Sequence, residues 1–272
     1  MSRINYIDNM VYKDLKHCEL NDNKLKLKNS DSYLMYGKHA VIAALNNPQR
    51  KIIKIFCTES CLKANRNLIH VDYNDKIEIV DNQFLNKALG QNQNHQGISV
   101  KLSSIFAYNL QNLEIIGENY KVAVLDQITD PQNIGSIIRS AVAFGIKAII
   151  MPQDNSPTEN AIIAKIASGA LELIKIFKVP NLKAAIEFFK KKNFWVFGFD
   201  SAQKNILNSK MLVGRIVLVL GSEDKGLRRL TKEACDYLVK IPMTPNVESL
   251  NVANAASIIF HASYSISNID EK

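Results

Sequence analysis

Three segments of this chain share one pattern, in which an apolar run leads into a short polar turn and then into a helical run. The apolar runs are Val122–Leu125, Ile216–Leu220 and Tyr237–Ile241. Continuous apolar runs of this length predict strands buried on both faces of a parallel sheet, and their alternation with helices favours an α/β fold. Ligands bind at the carboxyl ends of such strands. The three turns therefore predict one shared site.

The turns supply polar side chains of the kinds that bind ligands. Ser249 and Asn251 precede the third helix, where such side chains commonly cap free N–H groups, but the two earlier turns favour a ligand-binding role for them. Arg139 falls off the apolar stripe of the first helix, so its guanidinium can face the site. No glycine-rich dinucleotide fingerprint or phosphate loop is present, which counts against a generic nucleotide-binding enzyme.

Composition sets the broad class of the protein. With 272 residues, 47% hydrophobic and 22% charged, the chain is typical of a soluble globular protein of one large or two medium domains. Its net charge of +8 favours a polyanionic partner, although the excess is spread along the chain. Of the four cysteines only Cys57 and Cys61 are close together, and no histidine lies at metal-ligand spacing beside them, so no metal site is predicted. Neither a signal peptide nor a membrane span is apparent, and we expect a cytoplasmic protein without a membrane partner.

The chain divides into four parts by composition and pattern. Residues 1–31 form a polar extension, residues 32–102 a small α/β domain, residues 103–119 a linker and residues 120–272 the second domain. In the small domain we expect a turn and helix at 36–45 and strands at 52–57, 76–80 and 98–102.

Two further predictions concern the second domain. Ser156-Pro157-Thr158-Glu159 has the form of a capping box that opens a helix. Glu172 follows that helix and is left out of the catalytic residues.

The three segments, in this order, resemble the motifs of the SpoU-type (SPOUT class) RNA ribose 2′-O-methyltransferases. The likeness runs from about Tyr33 to the C-terminus and is strongest to the 23S rRNA guanosine enzymes. The small domain resembles the ribosomal protein L30e-like RNA-binding domain of that subgroup, through Tyr36-Gly37 followed by His39-Ala40-Val41 and through His95-Gln96-Gly97-Ile98.

This resemblance implies a function, a cofactor and a fold. The reaction is methyl transfer from S-adenosylmethionine to a ribose 2′-hydroxyl of 23S rRNA or a large-subunit precursor, catalysed by a homodimer. The parallel-sheet domain is expected to contain a deep trefoil knot, which composition and spacing do not predict. The matching catalytic positions are Asn133, Arg139, Glu223, Ser249 and Asn251. The matching cofactor positions are Gly221, Ile241 and Leu250.

Roles can be assigned to some of these residues on chemical grounds. Arg139 holds its proton too tightly for a simple general base, so stabilising the alkoxide or binding a phosphate suits it better. Glu223 is expected to position Arg139 or a loop. A tRNA ribose methyltransferase and an inactive RNA-binding ribosome-assembly factor are the alternatives. The complete small domain favours rRNA, and the intact motif residues count against an inactive site.

Overall fold

The computed structural model describes residues 32–107, 109–244 and 246–267, so the predicted polar extension at 1–31 lies outside the described residues. The small domain folds around a four-stranded sheet in the order β1-β4-β2-β3, with β2 antiparallel to β4 and parallel to β3. Its elements are β1 (Ser32–Tyr36), α1 (Lys38–Leu45), β2 (Ile52–Cys57), α2 (Glu59–Asn65), β3 (Ile77–Ile79), α3 (Asn82–Leu89) and β4 (Ile98–Ser103). The sequence pattern did not predict β1.

The second domain is a six-stranded sheet in the order β10-β8-β9-β5-β6-β7, and every neighbouring pair is parallel. The α/β class and the parallel sheet are therefore confirmed. Its elements are β5 (Lys121–Asp126), α4 (Pro131–Ala143), β6 (Ala148–Pro152), α5 (Ala161–Ala167), β7 (Lys175–Val179), α6 (Leu182–Lys190), β8 (Trp195–Phe199), β9 (Ile216–Gly221), α7 (Arg229–Ala234), β10 (Tyr237–Val239) and α8 (Val252–Ser267).

Strand order brings two of the polar turns together. From β5 the chain continues to β6, which lies on one side of β5 in the sheet. Strand β9 lies on the other side of β5, and from β9 the chain continues to β10. Asp126 and Gly221 are register partners at the ends of β5 and β9. Such a reversal opens a crevice at the carboxyl ends of the strands, where ligands bind in α/β sheets.

The predicted capping box at 156–159 is wrong. Helix α5 begins at Ala161, and the Oδ1 atom of Asn160 caps it by accepting from the N–H groups of Ile162 and Ile163 at 3.0 and 3.1 Å. The Ser156 hydroxyl donates instead to the Pro152 carbonyl. Glu159 does not take part in capping the helix, because its carboxylate is bound in a buried ion cluster.

That cluster joins the small domain to the second domain through Arg50. Its guanidinium contacts Glu159 Oε1 at 2.5 Å and Glu172 Oε1 at 2.5 Å, and all three side chains are at most 3% exposed. Glu159 also accepts from the Tyr33 hydroxyl at 2.8 Å and the Ile105 N–H at 2.7 Å. Burial, followed by the nearby Glu159 charge, raises the pKa of Tyr33 well above its usual value, so the hydroxyl stays a donor. A buried cluster with this many bonds fixes the contact between the domains.

Part of the segment predicted as a linker packs against the second sheet. Ala107 donates to the Ile176 carbonyl at 2.9 Å and accepts from the Lys178 N–H at 2.8 Å, which extends the sheet beside β7. Leu110 and Leu113 are buried in the core of the second domain. No helix among the described residues is both long and apolar enough to cross a bilayer.

Candidate functional site

A cavity of about 340 Å³ opens at the carboxyl edge of the second sheet. Segments that follow β8, β9 and β10 form its walls, together with the first turns of α8. Of the residues predicted from the sequence, the cavity is lined by Gly221, Glu223, Ile241, Ser249 and Leu250. The second and third polar turns therefore share one cavity.

Gly221 ends β9 where the chain folds back on itself. A Cβ atom at this position would overlap the backbone of Gly226 and approach the Leu227 nitrogen. The turn is closed by a hydrogen bond from the Gly226 N–H to the Ser222 carbonyl at 2.9 Å. Only glycine allows this close backbone approach, and the turn leaves main-chain groups facing the cavity.

Glu223 joins all three polar turns. Its Oε1 atom accepts from Asn251 Nδ2 at 2.7 Å, from the Val252 N–H at 3.1 Å and from Asn133 Nδ2 at 3.2 Å. Asn251 Nδ2 also donates to Asn133 Oδ1 at 3.0 Å. One carboxylate oxygen therefore holds the first and third turns at the rim of the cavity.

The start of α8 separates the roles of Ser249 and Asn251. Asn251 Oδ1 accepts from the N–H groups of Ala253 and Asn254 at 3.0 and 3.3 Å, so it caps the helix while its Nδ2 reaches Glu223. Ser249 is exposed on the cavity wall, and no hydrogen bond ties it to another residue of the described chain. Its hydroxyl is therefore available to a ligand.

Arg139 lies apart from this cluster. It is exposed on α4, as its position off the apolar stripe predicts, but it does not line the cavity. It forms no hydrogen bond or ion pair with Glu223, whose hydrogen-bond partners are Asn133, Asn251 and Val252. Within one chain, Glu223 therefore contacts the polar turns and does not contact Arg139.

Sequence reasoning missed two charged contributions to this edge. Asp200 follows β8, lines the cavity and pairs with Lys232 at 2.6 Å. Burial raises the pKa of Asp200, but bonds from Lys232, the Ala202 N–H and Gln203 outweigh it and lower the pKa below its usual value. The sequence does contain a signal for Asp200, since it is a polar residue directly after the apolar run 194–199.

The second missed contribution is an ion pair beneath the loop that follows β9. Asp126 is fully buried at the end of β5. It accepts from Arg228 Nε at 2.6 Å and from the Arg228 N–H at 3.0 Å. This pair fixes the end of the loop 222–228 to the neighbouring strand.

The arrangement matches a known family. The model of the SpoU rRNA methylase family matches residues 120–261. The chain belongs to the SpoU rRNA methylase family. A second model, described as RNA 2′-O ribose methyltransferase substrate binding, matches residues 34–105 of this SpoU methylase.

Two relatives match more than four fifths of this chain, and a third matches a little over half. The 23S rRNA (guanosine-2′-O-)-methyltransferase RlmB of Pasteurella multocida is 36% identical over 232 residues, which cover 82% of this chain and 94% of that protein. The crystal structure of the SpoU methyltransferase AviRb from Streptomyces viridochromogenes in complex with AdoMet superposes with a TM-score of 0.75 at 20% identity, covering 86% of this chain and 90% of AviRb. The TrmH/SpoU tRNA modifying enzyme of A. aeolicus gives a TM-score of 0.51 at 22% identity and covers 57% of this chain and 80% of its own.

Proposed function

We propose that this SpoU methylase transfers a methyl group from S-adenosylmethionine to the ribose 2′-hydroxyl of a guanosine in 23S rRNA. The observation that carries the proposal is the 36% identity to RlmB, which extends through the small domain as well as the catalytic one. The cavity and the Glu223 cluster at the carboxyl edge of the sheet support it.

The cavity has the chemistry that S-adenosylmethionine requires. Main-chain groups at Gly221 and apolar side chains at Ile241 and Leu250 line it, and they suit the hydrogen-bonding edge and the faces of an adenine. Asp200 lies on another wall, where its carboxylate is paired with Lys232. When bound, this cofactor supplies an electrophilic methyl group on a sulfonium.

The residues of the chain position the acceptor and the loops around it. Glu223 holds Asn133 and Asn251 in fixed orientation, which keeps the rim of the cavity in place for a ribose. Ser249 is free to hydrogen-bond the 2′-hydroxyl. Arg139 stabilises the developing alkoxide or binds an adjacent phosphate, because its guanidinium keeps its proton.

The small domain supports rRNA rather than tRNA as the substrate. The RlmB relative spans it, whereas the tRNA modifying enzyme of A. aeolicus covers only 57% of this chain. We assign residues 32–102 to RNA recognition and residues 120–272 to methyl transfer, with 103–119 between them.

We also infer a homodimer with the site near its interface. Arg139 is exposed and lies outside the cavity of its own chain. The surface of a second subunit that covers this side of the molecule would complete the site. Ile258 and Tyr264 on α8 are 45% and 44% exposed, and exposed apolar side chains of this kind suit contact with another copy. The trefoil knot and a cytoplasmic location stay predictions from the resemblance and the composition.

The test is methyl transfer from labelled S-adenosylmethionine to 23S rRNA transcribed without modifications and, separately, to total tRNA. We expect label in 23S rRNA, on the 2′-oxygen of one guanosine, and its loss in Arg139→Ala. Lys191→Ala, on an exposed surface remote from the cavity, is the matched control and should keep full activity. Label only in tRNA would reassign the substrate, and binding of both cofactor and rRNA without transfer would favour the assembly-factor alternative.

A further inference from the structure

A second cavity, of about 490 Å³, lies at the same edge of the sheet. The chain that follows β9 lines both cavities. Residues 221–226 form a wall of the first cavity, and residues 228–231 form a wall of the second. The opposite walls of the second cavity come from the segments that follow β6 and β7.

Three cationic and two amide side chains are part of the lining of this second cavity. Lys183, Arg228 and Arg229 line it, with Asp154 as the one acidic side chain of its lining among the described residues. Arg229 is already paired with Glu233 at 2.6 Å. Arg228 is also paired, with Asp126 at 2.6 Å, but only through Nε, so its two terminal nitrogens and the Lys183 ammonium, on opposite walls, are the cationic groups left for a ligand.

Arg228 is held in a defined orientation. The fully buried Asp126 carboxylate accepts both its Nε–H and its main-chain N–H, while the Arg228 side chain is still 45% exposed. No described residue accepts a hydrogen bond from its two terminal nitrogens. A guanidinium anchored at Nε, with both terminal N–H₂ groups open, has the geometry that takes two oxygens of one phosphate.

We propose that this second cavity binds a backbone phosphate of the RNA substrate, with Arg228 and Lys183 as its two cationic contacts. The inference rests on the proposed function, because the phosphate belongs to the same RNA whose ribose is methylated at the first cavity. It also gives the Asp126–Arg228 pair a role beyond holding the loop, since the pair sets the guanidinium that meets the phosphate.

Binding of the unmodified 23S rRNA transcript, measured by filter retention over a range of salt concentrations, tests this contact without any turnover. In Arg228→Gln we expect roughly tenfold weaker binding. The slope of log affinity against log salt should fall by about 0.7 to 0.9, as for one lost phosphate contact. Arg228→Lys should keep most of the slope because it keeps the charge.

Lys183→Gln separates phosphate binding from support of the loop. Lys183 lies on the opposite wall and does not contact Asp126, so its substitution leaves the loop pinned. We expect it to lower the salt slope by a similar amount while S-adenosylmethionine binding, measured by calorimetry, stays within twofold of wild type. Lys191→Gln, outside the cavity, should change neither quantity.

Two results would overturn the proposal. One is an unchanged salt slope in both Arg228→Gln and Lys183→Gln. The other is weaker cofactor binding in Arg228→Gln with an unchanged salt slope, which would make Arg228 only a support for the loop. A wild-type protein that binds 23S rRNA with the expected slope but transfers no methyl group would count against the proposed function and not against this contact.

Discussion

Two clusters centred on glutamates organise this molecule, and they differ in how much water reaches them. Glu159 is buried between the domains and meets the guanidinium of Arg50. Glu223 is exposed at the rim of the cavity and meets two asparagine amides and one main-chain N–H. Both carboxylates join segments that are distant in the sequence.

The difference follows from the energetics of burial. A carboxylate removed from water needs an opposite charge and enough donors, and Glu159 has Arg50, Tyr33, Ser104 and the Ile105 N–H. An exposed carboxylate is already hydrated, so neutral donors are sufficient to orient it. The buried cluster is therefore expected to determine stability, and the exposed cluster to determine the geometry of the site. Free energies of unfolding of variants in and around the two clusters test that division.

The largest effect is expected from Arg50→Met. The substitution leaves Glu159 and Glu172 buried without their cation, so we expect the free energy of unfolding to fall by about 3–5 kcal/mol. Denaturant titration measures it. Lys63→Met is the control, because the Lys63–Glu59 pair is 75% and 71% exposed and its loss should leave the free energy of unfolding close to that of the wild type. Similar losses of unfolding free energy in the two variants would contradict the assignment of stability to the buried cluster.

A smaller effect is expected from Lys121, a buried cation that donates to the Ser263 carbonyl of α8. Burial, with a lesser contribution from Lys147, lowers its pKa from 10.5 to about 8. Between these two pH values the unfolded chain binds the proton and the folded chain does not, so stability rises with pH. The unfolding free energy of the wild type should gain about 3 kcal/mol over this window relative to Lys121→Met.

Denaturant titration of both proteins from pH 8 to 10.5 gives this difference, and groups common to both cancel. Lys191→Met serves as the control, because its side chain is exposed and its curve should run parallel to wild type. A constant gap between wild type and Lys121→Met across the window would show that Lys121 titrates as it does in water.

Gly221→Ala tests the close backbone approach beneath the cavity. The added Cβ overlaps Gly226, so the turn must open, at a cost of about 2 kcal/mol by analogy with overpacked cores. S-adenosylmethionine affinity, measured by calorimetry, should fall at least about tenfold. Gly226→Ala is the matched comparison in the same turn. A Cβ atom at this position meets open space, so the one expected cost is that of the left-handed φ of 63°, about 1 kcal/mol. Equal cofactor binding by both variants would rule out the overlap as the cause.

Most of the architecture could be predicted because it depends on local pattern. Apolar runs such as 122–125 and 216–220 gave the parallel strands, and the residues before α8 gave Asn251 as a possible cap, which the structure confirms. Strand β1 was missed because five residues beside a polar stretch carry little periodicity.

The contacts that make the clusters could not be predicted in this way. Glu223 meets Asn133 across 90 residues, and Arg50 meets Glu159 across 109. The capping box at 156–159 failed for the same reason, since the Arg50 contact outweighs the local preference of Glu159 for a helix N-terminus. Resemblance placed Glu223 in the site, and chemistry predicted that it positions Arg139 or a loop. Within one chain the fold joins it to the loops.

The smallest change in stability is expected from Glu223→Gln. The amide oxygen still accepts hydrogen bonds, so we expect a loss of about 1 kcal/mol or less in unfolding free energy. Because the weaker acceptor loosens Asn133 and Asn251, methyl transfer should nevertheless fall roughly tenfold or more, in kcat rather than in RNA affinity. Glu248→Gln, exposed in the adjacent loop, should leave both quantities unchanged. A variant as unstable as Arg50→Met would mean that the exposed cluster supports the fold as strongly as the buried one, whereas full activity would remove Glu223 from the site.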